Sequence, residues 1–107
     1  MAQDFTRYKA RLTGVTAATL FTANSNDTIV GISVANVTAS AVNASVFIND
    51  GTNDFYLVKS APIPSGSALQ VLDGGAKVVV QSGDILKVVS DTASSLDTWV
   101  STVDAIS

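Results

Sequence analysis

Apolar and polar residues alternate in short runs along most of this chain, and turn-forming residues separate the runs every 8 to 12 residues or so. Period-two alternation is typical of a strand with one buried face. The clearest example is the stretch 42–58, in which Val42, Ala44, Val46 and Ile48 share a face and a second apolar run occupies 55–58. Asp50-Gly51 supplies the positive-φ residue of a tight turn, so this stretch predicts a β-hairpin.

Further strand-like runs lie at 4–12, 15–22, 28–38, 67–72, 76–81, 85–90 and 96–106. In the third run Gly31 and Asn36 are candidate bend positions, and a bend there would let two sheets share the strand. Pro62 and Pro64 lack amide donors, so we expect the segment 59–66 to lie outside both sheets and to cross between them. The Asp-Gly-Gly step at 73–75 predicts another turn.

Composition supports an all-β fold. All nine acidic residues are Asp and none is Glu, while Val, Thr and Ser are abundant. Asp favours turns over helices, and β-branched residues favour strands. Together with the turn spacing, this predicts a single-domain antiparallel β-sandwich, or jelly roll, of about eight strands over residues 1–107.

Positive charge is concentrated near the start of the chain. Arg7, Lys9 and Arg11 supply half of the six cations and alternate with apolar residues, which places them on one face of an extended segment. Residues 1–14 are therefore either an edge strand whose charges discourage unwanted pairing, or a basic arm that docks on an acidic neighbouring subunit or on a host lattice. On the second reading these three cations form a protein-binding site.

The residues that most enzymes and metal sites depend on are missing. The chain has no His and no Cys, so it lacks the usual general base and the commonest zinc ligands. Serines beside Gly66 and Gly83 would need an unusual lysine base to become nucleophiles. The segment 50–54 resembles a calcium loop, but Phe55 stands where such a loop needs Gly, and Glu is absent. We predict a turn there, with no enzyme activity, metal or cofactor.

Aromatic residues allow two interpretations. Tyr56 and Trp99, with Phe55, could form a stacking platform for glycans, or they could pack inside the sandwich, which is the commoner fate of such residues. A net charge of −3 argues against nucleic acid as the main partner. No apolar run is long enough to cross a membrane, so we expect no membrane partner.

Several strand and turn motifs resemble those of small virion proteins of tailed bacteriophages. The resemblance runs over most of the chain, and the motifs that carry it are DFTRY at 4–8, NDGTN at 49–53, FYLVK at 55–59, PIPSGSAL at 62–69 and VQSGDI at 80–85. The resemblance implies a structural role without catalytic residues, as a capsid decoration or cement subunit, or as a tail or neck adaptor. It also implies residence in the virion after assembly in the host cytoplasm.

Composition points to self-association as well. About 47% of the residues are apolar, but many of these are Ala and Val, so large core residues are few. A small sandwich of this kind is readily stabilised by subunit contacts. We therefore expect a homo-oligomer, a dimer or trimer. The resemblance to virion proteins implies that it binds the major capsid protein or other virion subunits. The alternatives are the adaptor and a host-glycan-binding module that uses Tyr56 and Trp99.

Overall fold

The computed structural model describes residues 4–24 and 26–104, and these contain eight strands and no helix. The strands are β1 (Asp4–Thr13), β2 (Ala18–Thr22), β3 (Asp27–Asn36), β4 (Val42–Asn49), β5 (Asp54–Ile63), β6 (Ala68–Val80), β7 (Ile85–Ser90) and β8 (Leu96–Asp104). The predicted all-β fold of about eight strands is confirmed. Residues 1–3 of the predicted arm and 105–106 of the predicted last strand lie outside the described residues.

Two antiparallel four-stranded sheets face each other in jelly-roll order. The first sheet has the order β1-β8-β3-β6 and the second has the order β2-β7-β4-β5. Only the β4–β5 link stays within one sheet; every other connection crosses to the opposite sheet. The predicted hairpin is therefore the fold's central element, and Gly51 at its turn has φ +100°.

Short aliphatic side chains fill the space between the sheets. The most completely buried large residues are Ile29, Ile32, Ile63, Leu86 and Leu96, surrounded by Val and Ala side chains. Val42, Ala44 and Val46 of the hairpin are buried as the alternation predicts. In the described part of the chain, half of the sixteen residues of this core cluster are Val or Ala, so the larger Leu, Ile and Phe side chains account for much of the buried apolar surface.

The predictions for β3 were partly wrong. The strand belongs to the first sheet alone, so it does not bend to join both sheets. The pairing register shifts between Ile29 and Gly31 against both neighbouring strands, which confirms a bulge at this position. The bulge reverses the side-chain alternation, so Ile29 is buried and Val30 only partly so.

Two predicted interruptions are strands. Pro62 lies within β5, opposite Asn43, because β5 is an edge strand and its missing amide deprives no further strand of a hydrogen bond. Only the segment beyond Ile63 crosses between the sheets. The Asp-Gly-Gly step at 73–75 lies inside β6. Four residues of β6 (74–77) form a large bulge opposite Val30 of β3.

All four edge strands are irregular. The register shifts in β1 between Ala10 and Thr13, in β2 between Thr19 and Phe21, and at two places each in β5 and β6. Bulges twist a strand and break the row of free amides and carbonyls that another strand would pair with. Continuous strand-to-strand pairing between molecules is therefore disfavoured at these edges.

Carboxylates fasten two of the connections. Asp50 accepts hydrogen bonds from the amides of Asn53 and Thr52, at 2.8 and 2.9 Å, and these bonds lower its pKa. Asp91 accepts bonds from the Asn43 backbone amide and side chain, at 3.0 and 3.1 Å, and its pKa is lowered chiefly by the amide. Asp50 thus closes the hairpin turn and Asp91 ties the β7–β8 loop to β4.

These two carboxylates predict acid sensitivity. A carboxyl whose pKa is lower in the folded state contributes stability above its unfolded pKa of about 4 and loses it as pH falls through the folded value. We expect the free energy of unfolding, measured by urea titration, to decline as pH falls below about 4. The D50N/D91N variant should be less stable near neutral pH and should lose less on acidification; an unchanged acid slope would contradict the assignment.

Candidate protein-binding surface

The predicted cations lie on β1, an edge strand of the first sheet. Arg7 stands opposite Ser101 of β8, and Lys9 stands opposite Trp99. Both side chains are exposed, as is that of Arg11 beyond them. Tyr8 and Ala10, which alternate with the cations, pack against the core. The sequence thus places the charges on the solvent side because the opposite side of the strand is anchored by apolar contacts.

A tryptophan completes this surface. The Arg7 guanidinium lies 5.4 Å from the centre of the Trp99 ring, within the range of a cation–π contact. Trp99 is 50% exposed, and Phe5, further along β1, is 80% exposed. We call Arg7, Lys9, Arg11 and Trp99 the basic strip. Trp and Arg are the residues most enriched among those that dominate binding energy at protein interfaces.

The strand is irregular at the end of the basic strip. Leu12 has a positive φ of 53° and donates its amide to Asp97 Oδ1 at 2.9 Å. It is 40% exposed, because the bulge between Ala10 and Thr13 interrupts the alternation of β1 at this position. Lys9, Arg11 and Trp99 line an open depression of about 390 Å³, and the Asp97 carboxylate partly offsets their charge.

A second exposed aromatic group lies on the other sheet. Phe55 and Tyr56 of β5 are 56% and 44% exposed. The Tyr56 ring centre is 5.0 Å from that of Phe47 and 5.0 Å from Lys59 Nζ. Phe47 is buried but lies outside the main core cluster, so it is covered on the outer side of its sheet.

Phe55, Tyr56 and Trp99 are therefore not core residues. They remain exposed because no other element of the described residues 4–24 and 26–104 covers β5 or the outer side of β8, and the expectation that they pack inside the sandwich is wrong. Tyr56 and Trp99 belong to different sheets. The structure does not bring them together on one sheet, and a glycan platform built from both remains only a sequence-based hypothesis.

Three carboxylates that the sequence analysis did not group together lie at neighbouring strand ends. Asp50 follows β4, Asp54 begins β5 and Asp84 precedes β7, and these three strands are adjacent in the second sheet. Asp54 accepts a bond from Asn49 Nδ2 at 2.7 Å, and Asp84 accepts one from the Gln81 amide at 2.9 Å. We call the three the acidic row. The sequence signal was the Asp at each turn; their proximity depends on the strand order.

In residues 4–24 and 26–104, no cluster of three or more His, Cys, Asp or Glu is arranged to hold a metal ion. The predicted turn at 50–54 is confirmed, since Asp50 Oδ1 is engaged by backbone amides. In the same described part of the chain, no helix is long and apolar enough to cross a membrane.

Comparison with known proteins identifies a similar fold. The chain matches no protein-family model and no curated protein. It is similar to the crystal structure of a pentameric capsid protein from metagenomic phage sequences, with 16% identity and a TM-score of 0.50. The similarity covers 94% of this chain and 60% of that one. A second crystal structure with the same description gives 16% identity and a TM-score of 0.49, covering 94% of this chain and 62% of that one.

This chain thus spans about 60% of the length of the similar capsid protein. At 16% identity the similarity shows the shared fold. The similar protein is pentameric, so the comparison gives no support to the expected dimer or trimer.

Proposed function

We propose that this protein is a structural subunit of a phage virion that self-associates and binds to the shell as a cement or decoration protein. The fold shared with a phage capsid protein supports this proposal, as does the resemblance of the sequence motifs to small virion proteins. A ring of several copies replaces the dimer or trimer expected from sequence. On this proposal the function is attachment, and the partners are copies of this chain and the major capsid protein.

The observation that carries the proposal is the exposed basic strip. Large aromatic rings on an open sheet face are unfavourable to leave in water, and both aromatic residues and arginine are enriched at protein interfaces. Trp99 is half exposed although Arg7 already lies over its ring. A protein contact at the basic strip would remove the ring from water and use the three cations to select and orient an acidic partner.

Virion binding is the direct test. Fluorescently labelled protein should bind saturably to particles assembled from the major capsid protein of the same phage, at hundreds of copies per particle, and should slow particle rupture on heating. Copies are counted by quantitative mass spectrometry after sedimentation. Binding to tails or necks alone, at a few dozen copies or fewer, would support the adaptor instead. Absence of binding to any particle component would reject the proposal.

A glycan-binding role makes a different prediction. A glycan platform would keep the protein on host polysaccharide at high salt, because ring stacking is not screened by ions. Retention that disappears in W99A and Y56A variants would favour that role over shell attachment.

A further inference from the structure

We infer that the basic strip of one copy binds the acidic row of the next copy, so that the chain assembles head to tail into a ring. This inference rests on the proposed function only in assuming self-association, and it names the contact by which self-association occurs. It concerns two surfaces of one chain, each described above.

The two surfaces match in charge and dimension. Residues two apart in a strand are separated by about 6.7 Å, so the three cations of β1 extend over roughly 13 Å. Adjacent strands are about 4.8 Å apart, so the three strand ends that carry the acidic row extend over roughly 10 Å. Three positive side chains thus face three negative ones over similar lengths.

Each surface also has exposed aromatic residues. Trp99 belongs to the basic strip, and Phe55 and Tyr56 directly follow Asp54 of the acidic row. Apolar rings at the centre of a contact surrounded by charges are typical of specific interfaces. The contact we infer therefore buries apolar area on both sides and does not depend on charge pairs alone, which contribute little when exposed.

The positions of the surfaces determine the symmetry. The basic strip lies on β1, next to β2 at one flank of the sandwich, whereas the acidic row extends to β5, which lies next to β6 at the opposite flank. Asp54, at the β5 end of the acidic row, is therefore separated from the basic strip of the same copy by the width of the second sheet, and the contact that we infer forms between copies. Contact between unlike surfaces of successive copies is a heterologous interface, which closes into a ring when the rotation between copies permits.

Strand pairing between copies offers no competing explanation for the β5 edge. β5 carries two register shifts, a positive φ of 52° at Ser60, and Pro62. These features break the regular edge that intermolecular pairing requires. Side-chain contact through charged and aromatic groups is the mode of association left to this flank.

Hydrogen bonds hold the carboxylates of the acidic row in place. The Asp50 carboxylate, with its pKa lowered by the amides of Asn53 and Thr52, is ionised at neutral pH. Asp54 and Asp84 are held by hydrogen bonds in defined orientations. Fixed carboxylates lose little side-chain entropy when a partner binds.

The test uses purified full-length protein without any particle, so that its result is independent of shell binding. Sedimentation velocity and native mass spectrometry in 50 mM salt should show a ring of the wild-type chain, and 500 mM salt should weaken self-association at least tenfold. The strip variant R7S/K9S/R11S and the row variant D50N/D54N/D84N should each be monomeric under the same conditions. Asn retains the oxygen that each turn uses as an acceptor, and circular dichroism checks that both variants fold.

Two controls make the test specific. The variant K77D/K87S leaves Lys59, which contacts Tyr56, in place; it changes the net charge from −3 to −6 as the strip variant does, and it should still form the ring. In an equimolar mixture of the two variants, the strip variant supplies an intact acidic row and the row variant supplies an intact basic strip. It should form a one-to-one dimer in low salt and grow no further.

Several results would overturn the inference. These are a strip variant that still forms the wild-type ring, a control variant that loses the ring equally, a mixture without the dimer, or a wild-type chain that is monomeric at low salt. Such a monomer that nevertheless decorates particles would reject head-to-tail assembly and leave the shell-binding proposal standing.

Discussion

Replacing Asn36 by Ala should lower the free energy of unfolding by about 3 kcal/mol, because this buried side-chain amide joins the end of β3 to the β3–β4 connection and to the end of β5. Its Nδ2 donates to the carbonyls of Ser40 and Ile63, at 2.8 and 2.9 Å. Its Oδ1 accepts from the amide and hydroxyl of Thr38, at 2.9 and 2.7 Å. Truncation leaves the Ile63 carbonyl buried without this donor, and urea unfolding of the purified protein measures the loss.

A second substitution separates hydrogen bonding from packing. Asn36→Asp keeps the size of the side chain but replaces the amide donor with a carboxylate oxygen that faces two carbonyl oxygens. We expect it to be at least as destabilising as Asn36→Ala at neutral pH, because an unpaired charge is buried. The exposed Asn53, which bonds to Asp50 through its backbone amide, is the control, and N53A should change stability by less than about 1 kcal/mol. Equal losses in N36A and N53A would contradict this account.

Local patterns predicted the elements of this fold well. The hairpin across Asp50-Gly51 was predictable because alternation and a positive-φ glycine both act within a few residues. Asn36 was recognisable as a residue at which the strand is interrupted, but its bond to Ile63 joins two strands that are 27 positions apart. A single sequence does not specify such a partner, so the role of the side chain required the structure.

Errors arose where the position of a strand in its sheet outweighed its local composition. Pro62 and the Asp-Gly-Gly step at 73–75 are strong interruption signals, yet both lie in strands because β5 and β6 are edges that tolerate missing or displaced hydrogen bonds. The composition of the apolar run at 55–58 is that of a buried strand. Composition does not reveal that β5 is an edge strand with a neighbour on one side.

One part of the candidate surface, its three cations, could be predicted from the sequence. The cations of the basic strip alternate within five residues, so their common face follows from strand geometry alone. Trp99 joins them only through the β1–β8 pairing, and the acidic row is gathered from three turns by the order β7-β4-β5. Charge placement that depends on topology is invisible in a single sequence.

The composition also bears on why this chain should function as an assembly. Half of the described core cluster consists of Val and Ala side chains, whose burial stabilises the isolated subunit less than that of Leu, Ile or Phe side chains. Assembly adds stability by mass action, since a partner that binds only the folded chain shifts the folding equilibrium. Subunit contact and folding stability are therefore linked, and a core mutation can measure the link.

Leu86→Ala is the mutation to use. Leu86 is 1% exposed in the middle of the second sheet, between its register neighbours Phe21 and Ile48. Replacing its isobutyl side chain by methyl in a tightly filled core should lower the free energy of unfolding by about 3 kcal/mol and the melting temperature by roughly 10–20 °C. Val79→Ala, at a position that is 67% exposed, is the matched control and should cost less than about 1 kcal/mol.

The link between subunit contact and folding stability is measured by introducing L86A into two backgrounds. With the basic strip intact, the melting temperature of L86A should rise with protein concentration, because association stabilises the folded chain by about 2.7 kcal/mol at 100 times the dissociation constant. In the R7S/K9S/R11S background the same mutation should melt at one temperature at every concentration. Calorimetry over a hundredfold range of concentration distinguishes the cases, and a concentration-independent melting temperature in both backgrounds would show that the basic strip does not contribute to stability through self-association.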